Sequence, residues 1–270
     1  MNVRLPNDVL PPIAEAHTKW RHEHVLSIRH WTPRLMSFRI TRPADFNFVP
    51  GRYARLGLAD ETGEVAWRPF SMVSPASENY LEFLVVLIEG GQFSRRVTRL
   101  AEGDEVLIER LSYGFLTLDQ LAPGRNLWLI ASGSGLGPFV SMLADPATWQ
   151  GFERIVVVHS ARHADELAYR DEIEASREGS SAAGSGARLA YIPVLTRDPH
   201  AEGLHARIPL LVENGQLETA AGVALEKGDS RAMVCGNPDL AQDMRTLLKA
   251  RGFTTSRRNA PGQMAFEKYW

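Results

Sequence analysis

The sequence is poor in cysteine, in excess charge and in long apolar runs, and each shortage excludes a class of protein. Cys235 is the one cysteine among 270 residues, so the chain can form no internal disulfide and can hold no iron–sulfur cluster by itself. The 30 Lys and Arg residues nearly balance the 32 Asp and Glu residues, which disfavours binding to nucleic acid through overall positive charge. No apolar run approaches the roughly 18 residues of a membrane span, and residues 1–19 lack a signal-peptide core. We therefore expect a cytoplasmic protein that binds neither nucleic acid nor membrane.

The four histidines near the start of the chain do not form the pattern of a metal site. His17, His22, His24 and His30 have no partner carboxylates at fixed spacing. Because protein metal sites combine several such ligands in a defined geometry, we predict no metal here.

After an extension over residues 1–19, the first half of the chain has the pattern of an antiparallel β-protein. Short apolar segments are separated by turn residues such as Pro50-Gly51 and Glu102-Gly103-Asp104 at intervals of roughly 8 to 12 residues. The predicted strands include 35–40, 53–58, 81–88 and 105–109. We predict a small β-barrel over residues 20–124.

From residue 125 onward, short buried strands alternate with helices. Strands are predicted at 127–131, 155–158, 190–195 and 232–235, and helices at 139–144, 167–176 and 239–250. The segment 176–188, rich in Ser, Gly and Ala, is predicted to be a loop. Such alternation predicts a doubly wound, mostly parallel sheet over residues 125–270.

A glycine-rich loop follows the first strand of this second half. Gly133, Gly135 and Gly137 leave the backbone bare where a helix begins, so a pyrophosphate could approach the amide groups there. An ordinary strand-to-helix turn is the alternative interpretation. The loop and its context favour a dinucleotide cofactor.

An arginine follows the second strand, where folds that bind NAD usually have Asp or Glu. Strand 155–158 is followed by His159, Ser160, Ala161 and Arg162. A guanidinium group suits a 2′-phosphate, and Arg197 and Arg207 could converge on the same group. The alternative is that each is a solvated surface arginine. The arginines favour NADP(H).

In the first half, the segment Arg68-Pro69-Phe70-Ser71 places an arginine, an aromatic ring and a hydroxyl close together. These groups could bind a phosphate, stack on a planar ring and donate a hydrogen bond. A strand edge with one buried Phe is the alternative, and composition alone favours it.

Several motifs occur in the order found in the ferredoxin–NADP(+) reductase family. Residues 68–71 resemble its arginine-x-tyrosine-serine flavin signature, with Phe70 in place of Tyr, and residues 91–94 resemble the glycine-led helix start that receives the FAD pyrophosphate. Residues 133–138 are similar to the family's glycine-threonine-glycine-x-x-proline loop, and 235–238 to its cysteine-glycine-x-proline element. The chain ends in Trp270, as bacterial ferredoxin/flavodoxin reductases do. The resemblance covers about residues 20–270.

The resemblance implies an FAD-binding β-barrel over 20–124 and an NADP-binding α/β domain over 125–270, whose tail covers the flavin. The implied FAD contacts are Arg68, Pro69, Phe70, Ser71, Val85, Val86, Leu87, Gln92, Phe93 and Ser94. Ser134 would touch the cofactors from the glycine loop, and the implied contacts of the NADP adenosine end are Ala161, Arg162, Thr196, Arg197 and Arg207. Phe266 or Trp270 would stack on the flavin adenine, and either Ala265 or Phe266 would face the nicotinamide.

The resemblance also implies a reaction in which hydride passes between nicotinamide C4 and flavin N5, and electrons then pass singly to ferredoxin or flavodoxin. Ser71 and Cys235 would shape the hydride contact. Glu267 would be either a proton donor to N5 or a plain surface carboxylate.

The electron carriers implied as partners are acidic, and a basic rim could steer them to a monomeric enzyme. The candidate arginines for this rim are Arg95, Arg96, Arg99, Arg257 and Arg258. Solvated helix arginines are the alternative. Rival functions are a stand-alone NAD(P)H-dependent reductase component of an oxygenase, a free-flavin reductase, and a subunit that binds flavin without turnover.

Overall fold

The computed structural model describes residues 19–182 and 186–268. Most of the predicted extension over residues 1–19, and Trp270 with its predicted adenine contact, lie outside these ranges. Two sheets divide the described chain into a first half and a second half.

The first half is a six-stranded antiparallel sheet in the order β4-β3-β6-β1-β2-β5. Its strands are β1 (Trp20–Thr32), β2 (Leu35–Thr41), β3 (Tyr53–Ala59), β4 (Val65–Ser71), β5 (Tyr80–Val86) and β6 (Glu105–Glu109). A bridge between Met72, just after β4, and Phe83 in the middle of β5 links the two edges of the sheet and closes it into a barrel. Phe38, Leu56 and Ile108 fill its interior. The predicted β-barrel is confirmed.

Two barrel strands differ from the sequence prediction. The sequence pattern gives β1 no clear bounds, because its 13 residues carry five His or Arg side chains and only two buried positions. β4 includes Arg68 to Ser71, a segment outside the strands that the sequence pattern predicted. Pro69 is tolerated there because β4 lies at the sheet edge, where a missing N–H breaks no ladder.

The second half is a five-stranded parallel sheet in the order β11-β10-β7-β8-β9. Its strands are β7 (Asn126–Ser132), β8 (Arg154–Ala161), β9 (Arg188–Leu195), β10 (Ser230–Gly236) and β11 (Met264–Lys268). The helices of the chain are α1 (Gln92–Val97) in the first half and then α2 (Gly137–Leu143), α3 (Pro146–Gly151), α4 (Arg170–Ala182), α5 (Ile208–Glu213), α6 (Gln216–Ala221) and α7 (Pro238–Ala250). Helices cover both faces, so the central strands read as near-continuous apolar runs. The predicted doubly wound sheet is confirmed.

The second half also contains elements that the sequence pattern did not predict. α4 runs to Ala182, through part of the segment predicted as a loop. The sequence did not indicate this because α4 has too few apolar residues to show a helical period. α3, α5 and α6 have six residues each, too few to establish a period. β11 has only three apolar residues in five and is identified by its pairing with β10.

The two halves share a core. Leu35, Val73 and Leu84 of the first half pack in one cluster with Leu129 and Phe139 of the second. The carboxyl ends of the parallel strands therefore meet the barrel. Within the described residues, no helix is long and apolar enough to span a membrane, and no group of three His, Cys, Asp or Glu side chains could hold a metal ion.

Candidate active site at the junction of the two halves

The glycine loop lies at the carboxyl edge of the second sheet. β7 ends at Ser132, a 3₁₀ turn covers Gly133–Leu136, and α2 begins at Gly137. A Cβ atom on Gly135 would lie 2.3 Å from the Cys235 carbonyl oxygen, and one on Gly236 would lie 2.1 Å from Ser132 Oγ. The loops after β7 and β10 touch only because both positions are glycine. The predicted position of Ser134, in the loop between strand and helix, is as observed.

Ser71 and Glu267 form a hydrogen bond across the junction, although 196 positions separate them in the chain. Ser71 Oγ donates to Glu267 Oε1 over 2.8 Å. Burial raises the pKa of Glu267 from 4.5 to about 7, and the bond from Ser71 opposes this rise. Cys235 is buried and lies in register with Glu267 on the neighbouring strand. Near neutral pH, the Glu267 carboxyl can therefore both hold and release a proton.

Two tyrosines and a glycine that no sequence motif indicated lie beside this carboxyl. The rings of Tyr53 and Tyr113 lie 5.7 Å apart, and the two residues exchange backbone hydrogen bonds of 2.8 and 2.9 Å. Gly114 has φ +103°, and a Cβ there would lie 3.0 Å from Glu267 Oε2. The sequence feature that could have indicated these residues is the dipeptide Tyr113-Gly114, an aromatic residue followed by glycine shortly before the second half begins.

Neighbouring tail residues face opposite sides of the second sheet. Ala265 is buried in the core shared with the barrel, on the same side of β11 as Glu267. Phe266 lies on the other side, where its ring centroid is 4.2 Å from the guanidinium carbon of Arg245 on α7. The structure therefore brings Ala265, and not Phe266, to the side of the Ser71–Glu267 pair.

A second group of predicted residues gathers on the barrel. Phe70 of β4 packs against Phe93 of α1 with ring centroids 5.0 Å apart. Arg68, two positions earlier on the same face, is exposed and donates to the Trp67 carbonyl oxygen over 2.8 Å. Arg68 forms no ion pair within the described residues. Ser94 Oγ accepts from the Ile88 amide over 2.9 Å, so its own hydrogen is free to be donated.

The remaining predicted residues of the first half differ in their exposure and in whether their backbone groups are free to bind a cofactor. Pro69 and Gln92 are exposed. The Val85 side chain is buried in the barrel core, whereas Val86 is 39% exposed on the edge strand β5. The Leu87 amide donates to the Arg34 carbonyl oxygen over 2.8 Å, so this N–H is not available to a cofactor.

A third group gathers at the carboxyl ends of β8 and β9. The Thr196 amide donates to the Ala161 carbonyl oxygen over 3.0 Å, and the Arg197 amide donates to that of Arg162 over 2.9 Å. Both arginines are exposed. Arg207 is exposed as well, and it immediately precedes α5.

None of these three arginines pairs with a carboxylate among the described residues. Beside them, Glu166 accepts a hydrogen bond from the Arg162 amide over 2.9 Å. The guanidinium groups of Arg162, Arg197 and Arg207 therefore project from loops at the strand ends.

The donor sets fit the two cofactors that the sequence predicted. An unpaired guanidinium, a half-buried ring and a free hydroxyl hydrogen are what a flavin with a pyrophosphate requires on the barrel. Three unpaired guanidinium groups at the strand ends fit a nucleotide carrying an extra phosphate.

The predicted basic rim requires a correction at Arg96. Its Nη1 donates to the carbonyl oxygens of Leu58 and Glu64 over 2.6 Å each, and its Nη2 contacts Asp60 Oδ2 at 2.7 Å. The side chain is only 14% exposed. Arg96 therefore fastens α1 to the β3–β4 turn and cannot present its charge to a partner, whereas Arg95 is exposed.

Two family models match the chain in sequence. The oxidoreductase FAD-binding domain matches residues 26–110, and the oxidoreductase NAD-binding domain matches residues 129–246.

Curated relatives and a solved structure resemble the chain over nearly its whole length. Ferredoxin–NADP reductase A of Sorangium cellulosum is 34% identical over 92% of this chain and 90% of the relative. The ferredoxin–NADP reductase of Pseudomonas aeruginosa is 34% identical over 91% and 96%. The crystal structure of a ferredoxin NADP+ reductase from Neisseria gonorrhoeae with bound FAD and NADP has a TM-score of 0.87 at 32% identity, and the match covers 94% of this chain and 100% of that chain.

Proposed function

Because the chain belongs to the ferredoxin–NADP reductase family, we propose that it is an FAD-dependent oxidoreductase that passes electrons between NADP(H) and ferredoxin or flavodoxin. When bound, FAD accepts both electrons of a hydride and passes them on one at a time, which matches a two-electron donor to a one-electron acceptor. The observation that carries this proposal is the Ser71–Glu267 contact, which lies where the FAD-binding and NADP-binding halves meet.

We infer that Ser71, Cys235 and Glu267 are the catalytic residues. Glu267 holds a proton at a carboxyl oxygen with a pKa near neutrality, which is the range that suits proton transfer at working pH. Ser71 fixes the orientation of that carboxyl. Cys235 and Ala265 shape the surface beside it, so we assign the nicotinamide side of the tail to Ala265.

Arg68, Phe70 and Ser94 are the residues to which we assign the main contacts with FAD. The guanidinium would bind the pyrophosphate, the ring would stack on the flavin, and the hydroxyl would donate to a phosphate oxygen. The other predicted contacts remain part of the proposal and comprise Pro69, Ser71, Val85, Val86, Leu87, Gln92 and Phe93, with either Phe266 or Trp270 at the adenine.

Arg162, Arg197 and Arg207 are proposed to bind the 2′-phosphate of NADP(H). Charge-assisted bonds from several guanidinium groups distinguish NADP(H) from NAD(H) because only the former carries this phosphate. Ser134, Ala161 and Thr196 complete the proposed contacts.

The partner and the organisation of the enzyme complete the proposal. Arg95, Arg99, Arg257 and Arg258 remain candidates to steer an acidic electron carrier. We propose domains at 20–124 and 125–270, a monomer, a cytoplasmic location and no binding to nucleic acid.

An absorbance spectrum before and after anaerobic NADPH tests the function. The purified protein should show a flavin spectrum that NADPH bleaches, and a ferredoxin or flavodoxin added afterwards should restore it. A protein that refuses FAD contradicts the proposal. Bleaching that only free flavin or an oxygenase component reverses would favour the rival reductases.

A further inference from the structure

A second polar contact joins the two halves, between Glu82 of β5 and Tyr169, the residue before α4. The Tyr169 hydroxyl donates to Glu82 Oε1 over 2.7 Å, and Arg39 Nε donates to Glu82 Oε2 over 2.9 Å. Tyr169 is 4% exposed and Glu82 is 7% exposed. Each oxygen of this buried carboxylate is therefore engaged, one by the second half and one by the first.

The backbone of Tyr169 has an unusual conformation. Its φ of +58° lies in the left-handed region, which Asn259 alone among the other described non-glycine residues shares. Asn adopts this region readily, whereas a bulky aromatic residue rarely does. Such strain persists where the surroundings over-determine a conformation, often at positions with a function. Here the Tyr169 ring packs on Trp31 of the first half at 4.7 Å.

The protonation of Tyr169 supports the direction of the bond. Burial, followed by the neighbouring Glu82 carboxylate, raises the pKa of Tyr169 well above its ordinary value. The hydroxyl therefore remains protonated and donates to the carboxylate. A nearby bridge from Arg29 Nη1 to Glu172 Oε1 spans the same junction over 2.6 Å, but both its side chains are exposed, and exposed pairs contribute little.

Glu82 also holds the segment that follows Ser71. The Val73 amide donates to the Glu82 carbonyl oxygen over 2.8 Å, and the Glu82 amide donates to Ser74 Oγ over 3.1 Å. This segment touches the second half as well. Val73 Cγ2 lies 3.2 Å from the position of a Cβ on Gly137, where α2 begins.

We propose that the Glu82–Tyr169 contact positions the NADP-binding half on the FAD-binding half and so fixes the place of the glycine loop relative to Ser71. This inference rests on the proposed function. Glu82 and Tyr169 are positioning residues, since they act through Val73 and Gly137. Losing the contact would leave both halves folded and change the distance across which hydride must pass.

The test compares Tyr169→Phe with Tyr191→Phe. Tyr191 is a matched control because its hydroxyl contacts His159 Nδ1 at 3.1 Å within the second half alone. We expect Tyr169→Phe to slow flavin bleaching at saturating NADPH about tenfold, because misplaced reactants react slowly. FAD affinity, and transfer from the dithionite-reduced enzyme to ferricyanide, should not change. Tyr191→Phe should match the wild type in all three.

Amide hydrogen exchange gives a readout independent of turnover. In Tyr169→Phe, amide exchange should rise at residues 72–74 and 139–142, in the apoprotein and the holoprotein. In Tyr191→Phe it should not rise. Glu82→Gln keeps an acceptor for the Tyr169 hydroxyl. Its bleaching rate should therefore fall less, and its amide exchange should rise less, than in Tyr169→Phe.

Two results would overturn the inference. One is a Tyr169→Phe protein that bleaches and exchanges like the wild type. The other is a loss in Tyr191→Phe as large as that in Tyr169→Phe. A wild-type protein that takes up no FAD would instead overturn the proposed function. In that case, amide exchange in the apoproteins would still test whether the Glu82–Tyr169 contact positions the two halves.

Discussion

The residues at the junction and those at the ends of β8 and β9 are held in different ways. Ser71 donates to Glu267, a Cβ atom on Gly114 would lie 3.0 Å from Glu267 Oε2, and burial raises the pKa of this carboxyl. One backbone hydrogen bond joins Arg197 to Arg162, but the side chains of both are exposed and form no ion pair among the described residues. The junction is thus preorganised without a cofactor, whereas the exposed arginines would become ordered only on binding the 2′-phosphate that we propose for them. Substitutions should accordingly change rates at the junction and affinities at the strand ends.

The largest expected effect is that of Glu267→Gln on the rate. Removing the proton that Glu267 holds should lower the turnover rate about 100-fold, the usual size of an acid–base contribution. NADPH affinity should stay unchanged. Steady-state kinetics checks this, with Glu153→Gln as control because Glu153 is exposed and pairs with Arg125. A rise in KM without a change in kcat would show that the junction acts by binding alone.

The stability of the apoprotein should depend on pH through the same carboxyl. The pKa of Glu267 is raised by burial from 4.5 to about 7, so the folded protein binds this proton more tightly than the unfolded chain. The resulting stabilisation is complete below about pH 4.5 and is lost as pH rises through about 7. Between pH 5 and 8, the wild type should lose on the order of 2 kcal/mol more than Glu267→Gln in urea denaturation. Parallel curves would show that Glu267 has an ordinary pKa.

At the strand ends, Arg162→Glu should act on affinity. We expect the KM for NADPH to rise about tenfold, as the loss of a charge-assisted bond to a phosphate implies, while the KM for NADH changes little. Kinetics with both nucleotides checks this, with the exposed Arg188→Glu as a matched charge reversal. An equal loss for both nucleotides would remove Arg162 from the 2′-phosphate site.

The smallest expected effect separates two neighbouring arginines. Arg96→Ala should lower the free energy of unfolding by about 1 kcal/mol, because three acceptors lose a charged donor that water only partly replaces. Arg95→Ala should change it by less than about 0.5 kcal/mol and instead slow association with an acidic carrier at low salt. Urea denaturation and association rates distinguish them. Equal stability of both variants would show that the bonds of Arg96 contribute nothing.

The sequence predicts the architecture better than it predicts the details of the site. Apolar residues alternate with other residues over 53–58, which is typical of a barrel strand, and apolar runs such as 127–131 are typical of a buried parallel sheet. Both folds could therefore be predicted. β11 could not, since a five-residue strand with two charged side chains is defined by its partner β10.

For the site residues as well, the sequence predicts local placement but not the contacts that form through tertiary packing. The motifs place Arg68 and Phe70 on one barrel face, because alternate residues of a strand point the same way. The sequence cannot distinguish Arg95 from Arg96, since the difference lies in carbonyl groups 32 and 38 positions away. Nor does it decide whether Glu267 is a surface carboxylate, because Ser71 and Gly114 reach it only through tertiary packing.

The order of the chain has a consequence for biosynthesis. Ser71 leaves the ribosome long before Glu267, so the barrel can fold while its hydroxyl still faces water. The carboxyl arrives only when β11 has paired with β10, after the rest of the parallel sheet has been made. A nascent chain could therefore take up flavin before it contains the Glu267 carboxyl, the proton donor that we propose.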